Sequence, residues 1–328
     1  MDSLDAIVLA GNNRKGYIQG TPKCFVDFTN GYKPFIEEPD EHNSVSRVIE
    51  SLNASDSISS ITLIGPHEMF HRLRLSALRK NFLAVPQNPE ANFADNFFKA
   101  YENRTSLNPS RIESGFLYLS GDTPFRTPYS IDFAVQNVKD SDDITLFMIP
   151  ESDIKKLSFV YKKPLLPIVT GNQVIWCKPD DMAFIRPSKL PREKIEYMYE
   201  KRSTNRLTWA LEFGSLLYDY KELKDIIMTG WTLKQWHRLT RNLPKFINSP
   251  SFMTRNIEQQ KVEEIVRLYP PNMNSSIVIT PFIDGYVDID SEKDYDIVLR
   301  EFRKIRNVIN TDVLQKYRYH IRPSKYVL

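Results

Sequence analysis

The chain has 328 residues, 41% of them hydrophobic, which is enough apolar material for one large domain or for a core with an insertion. Lys and Arg number 44 against 41 Asp and Glu, a formal charge of +3, so the charge balance does not indicate a nucleic acid partner. Glycine is scarce, at 11 residues, yet Gly11, Gly16 and Gly20 fall within the first twenty positions. Because glycine lets the backbone approach a ligand closely, this segment is a candidate binding loop.

Cysteine content and the N-terminal residues bear on the compartment. The two cysteines, Cys24 and Cys177, are too few for a disulfide framework and fit a reducing, cytoplasmic location. The first residues are acidic where a signal peptide would be basic, and no stretch approaches twenty apolar residues. We therefore expect neither a secretory leader nor stable membrane insertion.

Short apolar runs alternate with helical patterns in the first half of the chain. In chain order, strands are predicted over 5–10, 60–65, 115–121 and 143–149, and helices over 44–52, 69–80 and 92–102. This alternation favours an α/β fold with a mainly parallel sheet. Ligands bind such sheets beyond the carboxyl ends of the strands, which directs attention to Gly11 and to Gly121-Asp122.

The second half of the chain changes in texture. A strand is predicted over 173–177, and residues 192–248 then combine leucine, aromatic and charged residues in a pattern typical of several packed helices. A strand over 276–280 and a helix over 292–309 follow. We therefore expect a core formed by 1–190 and 250–312, a helical insertion at 191–249 and a C-terminal tail at 313–328.

The loop that leaves the first strand combines basic and small residues. Its backbone N–H groups, together with Arg14, Lys15 and Lys23, can hold phosphates. It is not a Walker A loop, because Tyr17 stands where that motif requires lysine, and no G-x-G-x-x-G motif is present. The alternative interpretation is a tight turn without a ligand.

The chain contains four short motifs in this order: Leu9-Ala-Gly11, Pro22-Lys23, Ser120-Gly-Asp-Thr-Pro-Phe125 and Asp288-Ile-Asp-Ser-Glu-Lys-Asp294. Together they resemble the motifs of the MobA-like nucleotidyltransferase family. Gln87, Asn96 and Gly171-Asn172 extend the resemblance over nearly the whole chain. The resemblance implies a GT-A fold, which is a Rossmann-like three-layer αβα sandwich with a mainly parallel mixed sheet. It also implies transfer of a nucleoside monophosphate from a nucleoside triphosphate to a phosphorylated small molecule, with release of pyrophosphate.

The resemblance further implies Mg²⁺ as cofactor and a role for particular residues. Asp122 and Asp290 would bind the metal, with Asp288 as the alternative to Asp290, and Lys23 would bind phosphate; Lys23, Asp122 and Asp290 are the expected catalytic residues. The expected nucleotide-binding residues are Leu9, Ala10, Gly11, Asn12, Arg14, Lys15, Gly16, Lys23, Asn96 and Gly121. An acceptor phosphate is already an anion, so alignment and charge neutralisation suffice for such a reaction. The alternative is that Asp122 caps a helix beginning near Pro124 and that Asp290 closes a turn.

The first loop departs from the family pattern. Most members continue Leu-Ala-Gly with further glycines, whereas this chain has Asn12-Asn13-Arg14-Lys15. Asparagine tolerates unusual backbone angles better than most residues, so the loop can still wrap a triphosphate. A non-catalytic nucleotide-binding protein of the same fold is therefore an open alternative.

Three other features compete for a function. His67-Glu68-Met-Phe-His71 is an H-E-x-x-H sequence, the signature of a zinc hydrolase. Asp288-Ile-Asp290 is formally the D-x-D of a glycosyltransferase. The segment from Trp231 to Lys245 mixes basic and aromatic residues, and it could contact an anionic surface or pack within the insertion. In the family-like interpretation the insertion covers the acceptor site or packs against a partner subunit, which makes a homo-oligomer possible.

Overall fold

The computed structural model describes residues 3–10, 35, 38–39, 42–88, 91, 93–160, 165–170, 173–193, 195, 257–258, 273–289 and 292–320. These residues form one open sheet with helices on both faces. The strands within this part of the chain are β1 (Leu4–Leu9), β2 (Ile58–Gly65), β3 (Asn81–Pro86), β4 (Phe116–Ser120), β5 (Ile144–Pro150), β6 (Leu166–Thr170), β7 (Gln173–Ile185), β8 (Ile257–Glu258) and β9 (Ser275–Ile279).

The sheet is mixed but mostly parallel. Its main path runs β3-β2-β1-β4-β7-β5-β9, and β6 pairs with β7 and β8 beside this path. On the main path β7 alone is antiparallel to its neighbours β4 and β5. The carboxyl ends of β1, β2, β3, β4, β5 and β9 therefore lie at one edge of the sheet. The predicted α/β fold with a mainly parallel mixed sheet is confirmed.

The helices are α1 (Ser44–Ala54), α2 (Phe93–Leu107), α3 (Pro128–Asn137), the single turn α4 (Glu151–Ile154) and α5 (Glu292–His320). Strand β1 shows how the layers arise. Ala6 and Val8 pack with α1 and α3 on one face, whereas Ile7 and Leu9 pack with α2 on the other. Because side chains alternate along a strand and both faces are covered, the sequence of this strand is continuously apolar from Ala6 to Leu9.

One predicted helix is wrong. Residues 69–80 were expected to be helical, but the chain forms a 3₁₀ helix over His67–Arg72 and is then irregular up to the edge strand β3, which the sequence analysis did not predict. The cause is α1, because its polar side chains form hydrogen bonds with backbone N–H groups of this segment. The Asn53 Oδ1 atom accepts the backbone N–H of Arg79 at 2.7 Å, and the Ser46 hydroxyl accepts that of Arg74 at 2.8 Å.

The last helix is longer than predicted. Helix α5 was expected to end near Ile309, but it continues to His320, and Val313 is buried within it. Lys316 fixes this part of the helix by an ion pair to Asp153, at 2.5 Å, and by a hydrogen bond to the carbonyl of Pro281, and it also pairs within the helix with Asp312, at 3.1 Å. The insertion predicted at 191–249 lies outside the described residues except for 191–193 and 195. No helix in the described part of the chain is both long and apolar enough to cross a membrane.

Candidate functional site

Strands β1 and β4 are neighbours, and their carboxyl ends meet at Gly121. The backbone N–H of Gly121 donates to the carbonyl of Leu9 at 2.9 Å. A Cβ atom at Gly121 would lie 3.1 Å from the Leu9 carbonyl oxygen and 3.2 Å from the Cβ atom of Ala10, so glycine permits this close approach. The segment that follows β4 is thereby held against the start of the first loop.

Asp122 lies directly after this contact. It is partly exposed, and one of its carboxylate oxygens, Oδ1, accepts the hydroxyl of Ser120 at 2.5 Å. The interpretation of Asp122 as a helix cap is wrong, because α3 begins only at Pro128 and Thr127 is its N-cap, accepting the backbone N–H of Ser130. The position of Asp122 therefore has no explanation in helix capping.

The segment after β9 returns to the same place. β9 is separated from β4 by β7 and β5, yet residues 280–289 cross the edge of the sheet, and the Ile289 backbone N–H donates to the Asp122 carbonyl at 3.2 Å. This bond places Asp288 beside Asp122 in the fold, and Asp288 is buried. Asp290, predicted as the better metal ligand, lies outside the described residues.

The antiparallel strand β7 contributes charged residues that the sequence analysis did not single out. Lys178 pairs in register with Ile149, near the carboxyl end of β5. The middle of β7 therefore lies at the edge of the sheet where the carboxyl ends of the parallel strands meet. The register with β5 shifts between Leu146 and Met148, opposite Asp180 and Asp181. Such irregularities redirect side chains. A signal was available in the sequence, because the run Lys178-Pro-Asp-Asp181 is unusually charged for the interior of a strand.

Lys178 is buried at the centre of this edge, with its side chain 8% exposed. Its Nζ atom lies 3.1 Å from Oδ2 of Asp181, 3.5 Å from the carbonyl oxygen of Gly285 and 4.0 Å from Oδ1 of Asp288. Burial opposes its charge, but the carboxylates of Asp181 and Asp288 outweigh this effect and raise the pKa of Lys178. Lys178 is therefore an ammonium ion shared by two carboxylates.

A second buried cation, Arg126, lies in the segment between Asp122 and α3. Both of its Nη atoms bond the carboxylate of Asp180, and Nη1 also lies 3.6 Å from Oδ1 of Asp284. Burial disfavours the guanidinium charge, yet the two carboxylates raise the pKa of Arg126 above its ordinary value. A bidentate pair of this kind fixes the separation of the two elements that carry it.

Asp284 connects the same pair to the start of α3. Its Oδ2 atom accepts the backbone N–H and the hydroxyl of Thr127, each at 2.7 Å, and the hydroxyl of Ser130. Burial raises the pKa of Asp284, although Arg126 and these hydroxyl groups act in the opposite direction. The segment 280–289 is thus bonded to Asp122 after β4, to the start of α3 and to Lys178 of β7.

Asn96, predicted to bind nucleotide, supports a loop in this structure. Its Oδ1 atom accepts the backbone N–H of Asn88 at 2.9 Å, and its Nδ2 atom donates to the Asn88 carbonyl at 3.3 Å. Ala10, another predicted nucleotide contact, donates its backbone N–H to the carbonyl of Ile64 at 2.9 Å. The N–H of Ala10, like that of Gly121, therefore pairs within the fold.

Several predicted site residues lie outside the described part of the chain. These are Gly11, Asn12, Arg14, Lys15, Gly16, Lys23 and Asp290, together with Cys24, Gly171-Asn172 and the segment from Trp231 to Lys245. Their assignments stay predictions. The described residues bring together Leu9, Ala10, Gly121, Asp122 and Asp288 at one edge of the sheet.

The H-E-x-x-H sequence does not have the geometry of a zinc site. His67 and His71 lie in a 3₁₀ helix, and both are exposed. Four residues of a 3₁₀ helix turn by about 480°, so the two side chains point about 120° apart, whereas an α-helix would place them on one face. The ring of His67 instead packs edge-on against Phe70, with 5.9 Å between the ring centroids.

Comparison with protein-family models gives no match, and neither does comparison with curated proteins. Among solved structures, a hypothetical transferase from Thermus thermophilus is similar over 89% of this chain and 99% of its own, with 16% identity and a TM-score of 0.59. An inositol-1-phosphate CTP transferase from T. maritima matches 95% of this chain and 97% of its own, with 15% identity and a TM-score of 0.47. The first match shows a shared fold; the TM-score of the second is too low to support an argument.

Proposed function

We propose that this protein is a nucleotidyltransferase that transfers a nucleoside monophosphate from a nucleoside triphosphate to a phosphorylated small molecule. The observation that carries the proposal is the hydrogen bond from Ile289 to Asp122, which joins the segments of two predicted metal-binding motifs. These motifs are more than 160 positions apart in the sequence and follow strands that are not neighbours. A phosphate-binding loop after β1 would lie at the same edge.

The reaction balances without an added oxidant, reductant or base. An oxygen of the acceptor phosphate forms a bond to the α-phosphorus of the nucleotide, the anhydride bond between the α- and β-phosphates breaks, and pyrophosphate leaves with the bonding electrons. Because the acceptor is already an anion, the protein has to align the two phosphates and offset their negative charge. Lys23 and the loop from Leu9 to Gly16 are proposed to hold the triphosphate.

The acidic residues at this edge suit Mg²⁺, which prefers carboxylate oxygens and usually takes one or two of them together with substrate phosphates. Asp122 and Asp288 offer such oxygens on adjacent segments, and Asp290 is proposed to add another. Among the described residues, no group of three or more His, Cys, Asp or Glu side chains forms a complete metal site. When bound, Mg²⁺ would neutralise charge that develops on the phosphates.

Fold similarity is in line with this proposal. The Thermus thermophilus protein that shares the fold is described as a hypothetical transferase. Within the nucleotidyltransferases we propose the MobA-like type, on the basis of the four sequence motifs. A zinc hydrolase is not supported, because the two histidines of its signature diverge on a 3₁₀ helix.

The proposal is tested by incubating the full chain with ATP, CTP, GTP or UTP, Mg²⁺ and a panel of phosphorylated sugars and alcohols. We expect one nucleotide to raise the melting temperature and to release pyrophosphate only when an acceptor is present. The proposal would be refuted if none of the four nucleotides caused a thermal shift and none released pyrophosphate. In a parallel incubation that supplies nucleotide sugars as donors, sugar transfer without pyrophosphate release would indicate a glycosyltransferase instead.

A further inference from the structure

Lys178 is a buried cation whose Nζ atom lies 4.0 Å from Asp288, one of the proposed cation ligands, and the reaction described above gives it no role. Three oxygen atoms surround its ammonium group, from Asp181, Gly285 and Asp288. With its side chain 8% exposed, Lys178 has little surface from which to contact a substrate directly. Any effect of Lys178 on a bound ligand is therefore exerted through these neighbours.

We propose that Lys178 is a positioning residue that holds the Asp288 carboxylate beside Asp122, in the orientation that a divalent cation requires. This inference rests on the proposed function. Lys178 lies on β7, whereas Asp288 lies on the segment that crosses from β9 to β4, so the ion pair links that segment to the sheet. Partners that orient metal ligands in this way commonly contribute to metal affinity.

The distances around Lys178 indicate how it acts. At 3.1 Å, its contact with Asp181 is a hydrogen bond that anchors the ammonium group to its own strand. At 4.0 Å, its contact with Asp288 is an ion pair rather than a hydrogen bond. Lys178 thus attracts Asp288 without binding it as closely as it binds Asp181. Without this cation, the buried carboxylate of Asp288 and the partly exposed carboxylate of Asp181 would lose their shared counter-ion, and Asp288 would turn away.

Gly285 shows that the crossing segment is held firmly. A Cβ atom at this position would lie 2.4 Å from Nη2 of Arg126 and 2.4 Å from Oδ1 of Asp180, so the backbone of Gly285 passes directly over that buried pair. The carbonyl of the same residue faces Lys178 at 3.5 Å. The two buried cations therefore hold one segment from adjacent positions, and Lys178 is the one that faces Asp288.

The test is a titration of the full chain with Mn²⁺, used in place of Mg²⁺, in the presence of the nucleotide that raises its melting temperature. Electron paramagnetic resonance measures the bound Mn²⁺. We expect Lys178→Met to weaken Mn²⁺ binding by about tenfold or more. Lys178→Arg keeps the charge and should recover part of this loss. Asp181→Asn removes the anchor of the ammonium group at a carboxylate that is 34% exposed, and it provides a variant whose folding is less at risk. We expect Asp181→Asn to weaken Mn²⁺ binding as well.

Lys156→Met is the matched control. Lys156 also bridges two carboxylates, Asp153 and Asp312, but on α4 and the far half of α5. Its loss should lower the melting temperature and leave Mn²⁺ affinity unchanged. The assignment of Lys178 is overturned if Lys178→Met and Asp181→Asn bind Mn²⁺ within twofold of wild type, or if Lys156→Met weakens binding equally.

Pyrophosphate release by the wild-type chain separates the two claims. Release by wild type, together with unchanged Mn²⁺ affinity in the Lys178 and Asp181 variants, would overturn the positioning role and leave the proposed function standing. A wild-type chain that neither binds Mn²⁺ nor releases pyrophosphate would refute the proposed function and the inference together.

Discussion

The substitution Arg126→Met tests how much the buried ion pairs at the edge of the sheet contribute to the free energy of unfolding. Methionine fills much of the volume of arginine but removes the guanidinium. Asp180 and Asp284, whose side chains are 1% and 0% exposed, then lose their common cation. Breaking a buried pair by removing one partner typically costs about 3–5 kcal/mol.

This cost converts into a shift of melting temperature. For a chain of 328 residues the unfolding entropy is about 0.7 kcal/mol per kelvin, so the expected drop is about 4–7 °C. The drop should also depend on pH. Burial already raises the pKa of Asp284, and loss of Arg126 removes an interaction that lowers it. When the pKa of a carboxyl group is higher in the folded than in the unfolded chain, the chain loses stability as the pH rises above the unfolded pKa. The stability lost through Arg126→Met should therefore be larger at about pH 8 than at about pH 5.

The assay is thermal unfolding of wild type and variant at both pH values. Arg300→Met is the matched control, because Arg300 is 67% exposed and pairs with its neighbour Glu301 at 3.2 Å. We expect this control to change stability by no more than about 0.5 kcal/mol. A drop for Arg126→Met that equals the control, or that is the same at both pH values, would refute the reasoning about the buried carboxylates.

Two further predictions concern the core. Gly115→Ala places a Cβ atom 2.0 Å from the buried ring of Phe184 and should destabilise the chain by about 1–3 kcal/mol in thermal unfolding. Gly65→Ala is the control, because the nearest atom to its new Cβ lies at 3.5 Å, and it should change stability by much less. Equal effects of the two substitutions would contradict the packing of Phe184 against Gly115. Burial raises the pKa of Cys177 to about 12, so in a Cys24→Ser background iodoacetamide should leave the native chain unlabelled at about pH 8 and label it after unfolding. Rapid labelling of the native variant would show that the thiol is accessible.

The architecture of the sheet could be predicted because its signals are local. Residues 6–9 of strand β1 are continuously apolar, which follows directly from having helices on both faces. Asp122 drew attention because it lies just beyond the carboxyl end of the predicted strand that becomes β4, and the family resemblance supplied its expected role. The helix predicted over 69–80 failed because residues distant in sequence, Asn53 and Ser46 of α1, bind its backbone. No pattern within that segment reveals the competition.

The buried charges of the site depend on contacts that are distant in sequence. Arg126 and Asp180 are 54 positions apart, and they meet only because β7 enters the sheet antiparallel beside β4. Lys178 and Asp288 meet because the segment after β9 crosses two strands to reach Asp122. The resemblance supplied the two acidic motifs, but it did not supply the cations that hold them in place.

Transfer of label from a nucleoside triphosphate marked at its α-phosphate tests the central claim most directly. We predict that the wild-type chain moves this label to a phosphorylated acceptor and releases one pyrophosphate for each label transferred. Asp122→Asn should be slower by about 100-fold or more while keeping the wild-type melting temperature. Label that stays in the nucleotide or is released as free monophosphate, or an Asp122→Asn variant as active as wild type, would contradict the account.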